Sequence, residues 1–332
     1  MDYLTRILDT YSVKKTSELL NVSAGTVQRW VLLKKVPSEY TFDLMNILCI
    51  PIDYSQFNYS QKNQYFTSKV VVNECILDIQ NNIPNYQEYL FIEPSAGNGA
   101  FIGNIPNILA MDIEPMHERV IKQDYLTWFP ESKENKIIVF GNPPFGLRGH
   151  SALKFINHSA KFADYVCFIL PQLFESDGKG SPRKRVKGFE LIFSKKIEGG
   201  EYSTPDSNKI RINCVFQIWK RGGNIIIPNI NNNIPKIKIY SLSDGGTPGT
   251  TRNKEYLSKC DIYLPSTCFG ADKMKVYSSF HYLPGRKGYG VIFTDKILVD
   301  KAINTDWTSV AFLSTNSAYN LRSSLILSVF GG

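Results

Sequence analysis

Asn142-Pro143-Pro144-Phe145 follows directly on the apolar run Lys136-Ile137-Ile138-Val139-Phe140 and a single glycine, Gly141. Two consecutive prolines can neither continue a central strand nor enter a helix interior. They hold the chain extended and leave the Pro143 carbonyl without a ladder partner, while the Asn142 carboxamide offers a second oxygen acceptor. Two acceptors and an aromatic ring at the carboxyl end of a sheet suit a planar, amino-bearing group. Both amino hydrogens would be accepted, and Phe145 would stack on the ring. A rigid loop with a buried Phe145 is the competing reading.

A second constellation lies upstream. Phe91-Ile92-Glu93-Pro94-Ser95-Ala96-Gly97-Asn98-Gly99-Ala100-Phe101 reads as a strand end, a small-residue turn and then a helix. Gly97 and Gly99 let the backbone turn sharply and approach a ligand that a side chain would block. One βαβ step later, Ala110-Met111-Asp112-Ile113-Glu114 puts an acid at the end of the next strand, where a carboxylate can accept hydrogen bonds from ribose hydroxyls. Gln123-Asp124-Tyr125-Leu126 then sets an acid and an aromatic where the following loop would meet a purine. The turn has no Walker lysine, which argues against a triphosphate cradle.

These residues need a sheet to carry them. Leu90–Glu93, Ile108–Asp112, Lys136–Phe140 and Tyr165–Leu170 are short apolar runs at α/β spacing, the pattern of parallel strands covered on both faces. Glu190–Ser194 and Asn213–Trp219 follow without a long helix between them, so the sheet should end in an antiparallel hairpin. Before this sheet, Leu19, Leu20, Val22, Val27, Trp30 and Val31 suit two short helices crossing at a tight turn, with Ser23 as N-cap. That is a helix-turn-helix pattern, which would turn Ser23, Thr26 and Arg29 toward DNA; a helical bundle packed on the rest of the chain, or at a dimer contact, explains it equally. After Gly222 the chain becomes dense in Asn, Pro and Gly, as in Pro228-Asn229-Ile230-Asn231-Asn232-Asn233-Ile234-Pro235, and reads as a loop-rich β module. The expected division is 1–52, 53–222 and 223–332.

Composition narrows the function classes. Hydrophobic residues at 43% with 20% charged exclude wholesale disorder, and no apolar stretch approaches the roughly 20 residues of a membrane span. The opening residues show no secretory pattern, and the six cysteines are scattered. They read as buried thiols rather than disulfides or a zinc site, which points to the cytoplasm and to no metal. Thirty-eight Lys and Arg against thirty Asp and Glu give a net charge of +8, which favours a polyanionic partner.

Taken together, these motifs resemble the S-adenosylmethionine-dependent DNA adenine-N6 methyltransferases, over about residues 63–219. Glu93, Pro94, Ser95, Ala96 and Gly97 resemble the family's first cofactor motif, Asp112 with Ile113 its ribose site, and Asp124 with Tyr125 its adenine contact. Asn142, Pro143, Pro144 and Phe145 resemble the catalytic motif, and Tyr65, Phe66 and Thr67 the segment closing over the cofactor's methionine end. The motif order is that of the gamma arrangement. The resemblance implies an α/β, Rossmann-like class I methyltransferase sheet with an antiparallel C-terminal hairpin, an added N-terminal helix-turn-helix-like unit, and a loop-rich C-terminal target-recognition domain. It further implies S-adenosylmethionine as cofactor, double-stranded DNA as partner, and a type II restriction-modification methylase. Such an enzyme would act as a monomer, with a dimer as the alternative, and could stand beside a companion endonuclease of the same site.

A base inside a duplex cannot enter such a pocket, so the target must swing out. The stretch Ser176–Gly188 carries Lys179, Arg183, Lys184, Arg185 and Lys187 and suits a phosphate grip; a solvated hairpin is the alternative. Arg286 and Lys287, among Tyr277, His281, Tyr282 and Tyr289, suit base-edge and phosphate contact, with aromatic packing as the equal competitor. The four histidines read as surface or satisfied residues, although His150, just after the catalytic motif, suits a DNA contact. An RNA adenine or a protein glutamine could use the same Asn-Pro-Pro-Phe pocket, and a DNA-binding regulator could keep the fold without the reaction. The basic excess and the separate final module favour duplex DNA.

Overall fold

In the computed structural model, residues 2–20, 22–62, 64–131, 136–176, 181–222, 237–313 and 318–330 are described. The first of them form α1 (Asp2–Thr10), α2 (Val13–Leu19), α3 (Ala24–Leu32) and α4 (Thr41–Ile47). Ser12 and Ser23 cap α2 and α3, the Ser23 hydroxyl accepting from the Thr26 N–H at 3.1 Å. Apolar residues at helical spacing then close a small core of Leu4, Ile7, Leu20, Val27, Trp30, Tyr40 and Leu44. The two short helices and the Ser23 cap therefore stand as the spacing suggests, and α1 and α4 complete the bundle.

A short α5 (Tyr59–Lys62) leads into β1 (Phe66–Thr67) and the long α6 (Lys69–Asn82). The main sheet adds β2 (Leu90–Glu93), β3 (Ile108–Asp112), β4 (Ile121–Lys122), β5 (Ile137–Gly141), β6 (Tyr165–Pro171), β7 (Phe189–Ser203) and β8 (Lys209–Arg221), with α7 (His150–Ser159) between β5 and β6. Its order is β1-β7-β8-β6-β5-β2-β3-β4. Strands β2 to β6 pair in parallel, β8 runs antiparallel to β6, and β7 folds back on β8. This is the Rossmann-like sheet with a terminal antiparallel hairpin that the motifs imply. Every residue of β5 and β6 is buried, because α6 and its neighbours cover one face and α7 the other. Chain order reverses at β2 and β5, so a crevice opens beyond their carboxyl ends.

One expectation fails. No helix follows the glycine turn; residues 94–107 run as turns from β2 to β3. Gly97, Gly99, Gly103 and Asn107 all take positive φ, which a right-handed helix cannot accommodate, and too few residues remain between them for a helix to form. The hairpin arms are also longer than the apolar runs suggest, since polar outer ends still pair in the β7–β8 ladder.

The final module holds β9 (Ile237–Ser243), β10 (Ile262–Pro265), β11 (Thr267–Phe269), β12 (Lys287–Phe293), β13 (Phe312–Leu313) and β14 (Ala318–Asn320). They form two three-stranded antiparallel sheets, β10-β12-β9 and β11-β14-β13. Helices α8 (Ile297–Asn304), α9 (Trp307–Val310) and α10 (Ser323–Val329) close a core around Leu264, Val291, Trp307, Leu321 and Ile326, so the module is more helical than its composition implies. Buried Gln172, after β6, accepts from the Leu313 N–H at 2.8 Å and ties this module to the main sheet. Pro228–Pro235 lies outside the described residues. Four cysteines are buried, but Cys49 is exposed and Cys260 half-buried. No helix among the described residues is long and apolar enough to cross a membrane.

Candidate active site

Three strand ends meet at the crevice. Strand β2 ends on Glu93, whose buried Oε2 has no hydrogen-bond partner. Gly141, ending β5, makes room for it: at φ +124°, a Cβ there would sit 3.2 Å from the Glu93 Cγ. Burial, with a smaller push from Asp112, raises the Glu93 carboxyl to about 8. The folded chain therefore holds this proton where an unfolded one, near 4.5, has lost it. The stability this adds is complete below about pH 4.5 and is lost as pH rises through about 8. Denaturant unfolding should show wild type losing up to about 5 kcal/mol relative to Glu93→Gln between these limits. Parallel pH profiles would remove Glu93 from this role.

Asp112 ends β3 and organises both neighbouring turns. Its Oδ2 accepts from the Gly97 N–H and its Oδ1 from the Glu114 N–H, each at 2.8 Å. Burial raises this carboxyl, and the backbone donors oppose the rise. Gly97, at φ +50°, lies under the Phe66 ring, which a Cβ would approach to 3.1 Å. Phe66 and Thr67 reach this position because β1 pairs with the far end of β7.

Asn142 joins the pieces. Its Nδ2 donates to the Tyr65 carbonyl at 3.3 Å and to Thr67 Oγ1 at 3.2 Å, and its own carbonyl accepts from Ser95 Oγ at 3.2 Å. With Nδ2 so engaged, Oδ1 is the end of the amide left to accept from a ligand. The adjoining cavity measures about 200 Å³. A single water needs only roughly 10–15 Å³, so the space is ligand-sized. Tyr65, Phe66, Thr67, Glu93, Pro94, Ser95, Ala96, Gly97, Asp112, Ile113, Asp124, Tyr125, Asn142 and Pro144 all line it.

Two members of the motif behave differently. Pro143 is buried and Phe145 packs against the core face that includes Val71 and Phe140, so neither forms the cavity wall. The aromatic wall comes instead from Phe42, Tyr54, Tyr65, Phe66, Phe101, Tyr125 and Phe155. Tyr125 is held by a 2.6 Å bond to Ser159 and stacks on Phe155. Asp124 fixes its own turn by accepting from the Leu126 N–H at 2.9 Å. Phe155 lies one helical turn into α7 and could have been sought there. Nothing in the spacing points to Phe42, Asn46 or Tyr54, which come from the N-terminal segment.

The basic residues divide by exposure. Lys179 lies outside the described residues. Residues Pro182–Arg185 form a 3₁₀ turn fastened to α7 by Asn157, which donates to the Arg185 carbonyl at 3.2 Å and accepts from the Lys187 N–H at 3.0 Å. The segment from 181 to 188 is thus tied down rather than a free hairpin, with Arg183 and Arg185 half-buried and Lys184 and Lys187 exposed. Arg29, Arg286 and Lys287 are exposed. Tyr289 is interior, its hydroxyl donating to the Leu321 carbonyl, which is aromatic packing, whereas Tyr282 is open to solvent. His150 is buried beside Asp43 at 2.9 Å, which corrects the idea that it contacts DNA. Among the described residues, no group of three or more His, Cys, Asp or Glu is placed to hold a metal.

No protein-family model and no curated protein matches the chain. Among solved structures it is similar to a candidate RNA methyltransferase from Pyrococcus horikoshii, at 15% identity and a TM-score of 0.38, over 48% of this chain and 86% of the other. It is also similar to a candidate class I S-adenosylmethionine-dependent methyltransferase from Listeria monocytogenes, at 12% identity and a TM-score of 0.37, over 68% and 89%. A third similar structure is an S-adenosylmethionine-dependent methyltransferase from Anabaena variabilis, at 12% identity and a TM-score of 0.33, over 48% and 87%.

Proposed function

We propose that this protein is an S-adenosylmethionine-dependent methyltransferase that modifies N6 of an adenine swung out of duplex DNA. The observation that carries the reading is Asn142, whose amide nitrogen is held by Tyr65 and Thr67 while Oδ1 remains as acceptor at the carboxyl end of β5.

The wall chemistry fits the cofactor. Asp112 and Asp124 both line the cavity and offer acceptors, as ribose hydroxyls and an adenine amine require. Glu93 presents an orphaned buried carboxyl oxygen that a ligand ammonium would satisfy. When bound, the cofactor supplies an electrophilic methyl group on a sulfonium.

Everything else falls to the chain's own residues. The exocyclic amine of adenine is a poor nucleophile because its lone pair is delocalised into the ring. Asn142 Oδ1 would accept one of its hydrogens and, with the base seated, the Pro143 carbonyl behind the wall would turn to accept the other; together they would fix its position and stabilise positive charge as the nitrogen pyramidalises. Positioning supplies much of the rate. The product ammonium is acidic enough to lose its proton to water, so no strong base is needed. With Phe145 in the core, the base would stack on rings of the cavity wall instead.

Of the basic residues that the sequence singles out, Arg29, Lys184, Lys187, Arg286 and Lys287 are exposed and would meet phosphate, and the module assigned to 223–332 would read the target. Each of Lys184→Ala and Lys187→Ala should weaken DNA binding across sequences and reduce the slope of log affinity against log salt by about 1. An unchanged slope removes that lysine from the interface. Protection of host DNA beside a companion endonuclease, by a monomer, is the biological role we infer. Incubation with methyl-labelled cofactor and DNA, RNA or protein, followed by digestion, tests the assignment. N6-methyladenine in DNA is expected; methyl label in RNA, methylglutamine, or no transfer would overturn it.

A further inference from the structure

We propose that the N-terminal helical unit is itself part of the ligand site: Phe42 and Asn46 of α4, together with Tyr54, form the outer wall over the adenosine end of the cofactor, and Asp43 fastens that wall to α7. The proposal rests on the cofactor reading given above.

These residues line the same cavity as Asp112, Glu114 and Asp124, the acids that mark its adenosine end. Tyr54 sits close to them: burial raises its hydroxyl pKa, and the charges of Asp124, Glu114 and Asp43 add to the rise. Phe42 is braced by its neighbours, its ring 5.3 Å from that of Tyr54 and 4.8 Å from that of Phe57. Below the wall, Lys62 pairs with Glu114 at 2.8 Å and closes the seam between α5 and the turn after β3.

The fastening is specific. Asp43 of α4, half-buried against α7, accepts from His150 at 2.9 Å and pairs with Lys154. Burial alone would raise the Asp43 carboxyl, yet these two partners hold it below the usual carboxylate range. The Tyr40 ring adds a contact to His150 at 5.3 Å between centroids. His150 and Lys154 stand at the start of α7, five and nine residues beyond Phe145. A movement of the helical bundle is therefore felt at the cavity and just past the catalytic motif. A bundle that only contacted DNA, or only packed on the exterior, would not need a phenyl ring and a carboxamide in the cavity wall.

Calorimetric titration with S-adenosylhomocysteine, paired with hydrogen exchange, tests this on the full chain. The ligand should bind wild type and slow exchange across residues 41–47, a response that a merely structural role would not give. Phe42→Ala should weaken binding about 5- to 100-fold, the range of a lost stacking contact. Asn46→Ala, at an exposed position, should fold normally and weaken binding several-fold. Asp43→Asn should weaken binding and abolish the slowed exchange. If wild type binds but Phe42→Ala and Asn46→Ala bind equally well, and residues 41–47 exchange as before, this wall is wrong while the cofactor reading stands. If wild type does not bind at all, the cofactor reading fails and the wall falls with it.

Discussion

Asn142→Ala should lower the rate of methyl transfer by about 10²- to 10³-fold, the usual cost of removing one preorganised polar group from a developing charge. The side chain is built into the site from both ends. Its Nδ2 is spent on Tyr65 and Thr67, which fixes the plane of the amide, and the backbone carbonyl is held by Ser95. Truncation would remove the acceptor and also loosen β1. Cofactor affinity should therefore fall as well, but by only about 10-fold, the scale of one or two net hydrogen bonds. Single-turnover rates measured at saturating cofactor separate the two effects. A rate unchanged under those conditions would mean that the amide touches no reacting atom.

Asp112→Ala should act on the other half of the reaction and weaken cofactor binding by about 10²-fold or more. The carboxylate accepts from the Gly97 and Glu114 N–H groups, so it shapes the glycine turn and the turn after β3 together. Each hydrogen bond to a charged group contributes about 1.5–3 kcal/mol, and ribose hydroxyls would add to the two already made. Asp112→Asn should recover little, because an amide nitrogen would face one of the two backbone donors. Calorimetry with S-adenosylhomocysteine checks this, and near wild-type affinity for Asp112→Ala would place the ribose elsewhere.

Much of the frame could be read from residue order because the relevant signals are local. The apolar runs at 137–140 and 165–170 are buried on both faces, and such strands are recognisable without knowing their partners. The hairpin of β7 and β8 followed from the lack of helical text between two strands. The helix after Gly99 was misread because a βαβ expectation overrode the glycines themselves, whose positive φ values keep residues 94–107 in turns.

The site divides in the same way. Glu93 and Asp112 end strands and Asn142 follows one directly, and strand ends at a switch point are foreseeable. The direction of Phe145 was not, because a ring beside a crevice can face the cavity or the core, and packing among Val71 and Phe140 decides it. Nor could spacing reveal Phe42 or the Asp43–His150 pair, which joins residues 107 positions apart in sequence. Such contacts exist only once the helical bundle meets the sheet layer.

A crystal structure with S-adenosylhomocysteine and an adenine-containing duplex bears most directly on the central assignment. The target adenine should lie outside the helix with N6 within hydrogen-bond reach of Asn142 Oδ1 and the Pro143 carbonyl, facing the cofactor sulfur. A duplex with every base stacked, an Asn142 oxygen turned toward Thr67, or a cofactor bound outside the Glu93–Asp112 cavity would contradict it.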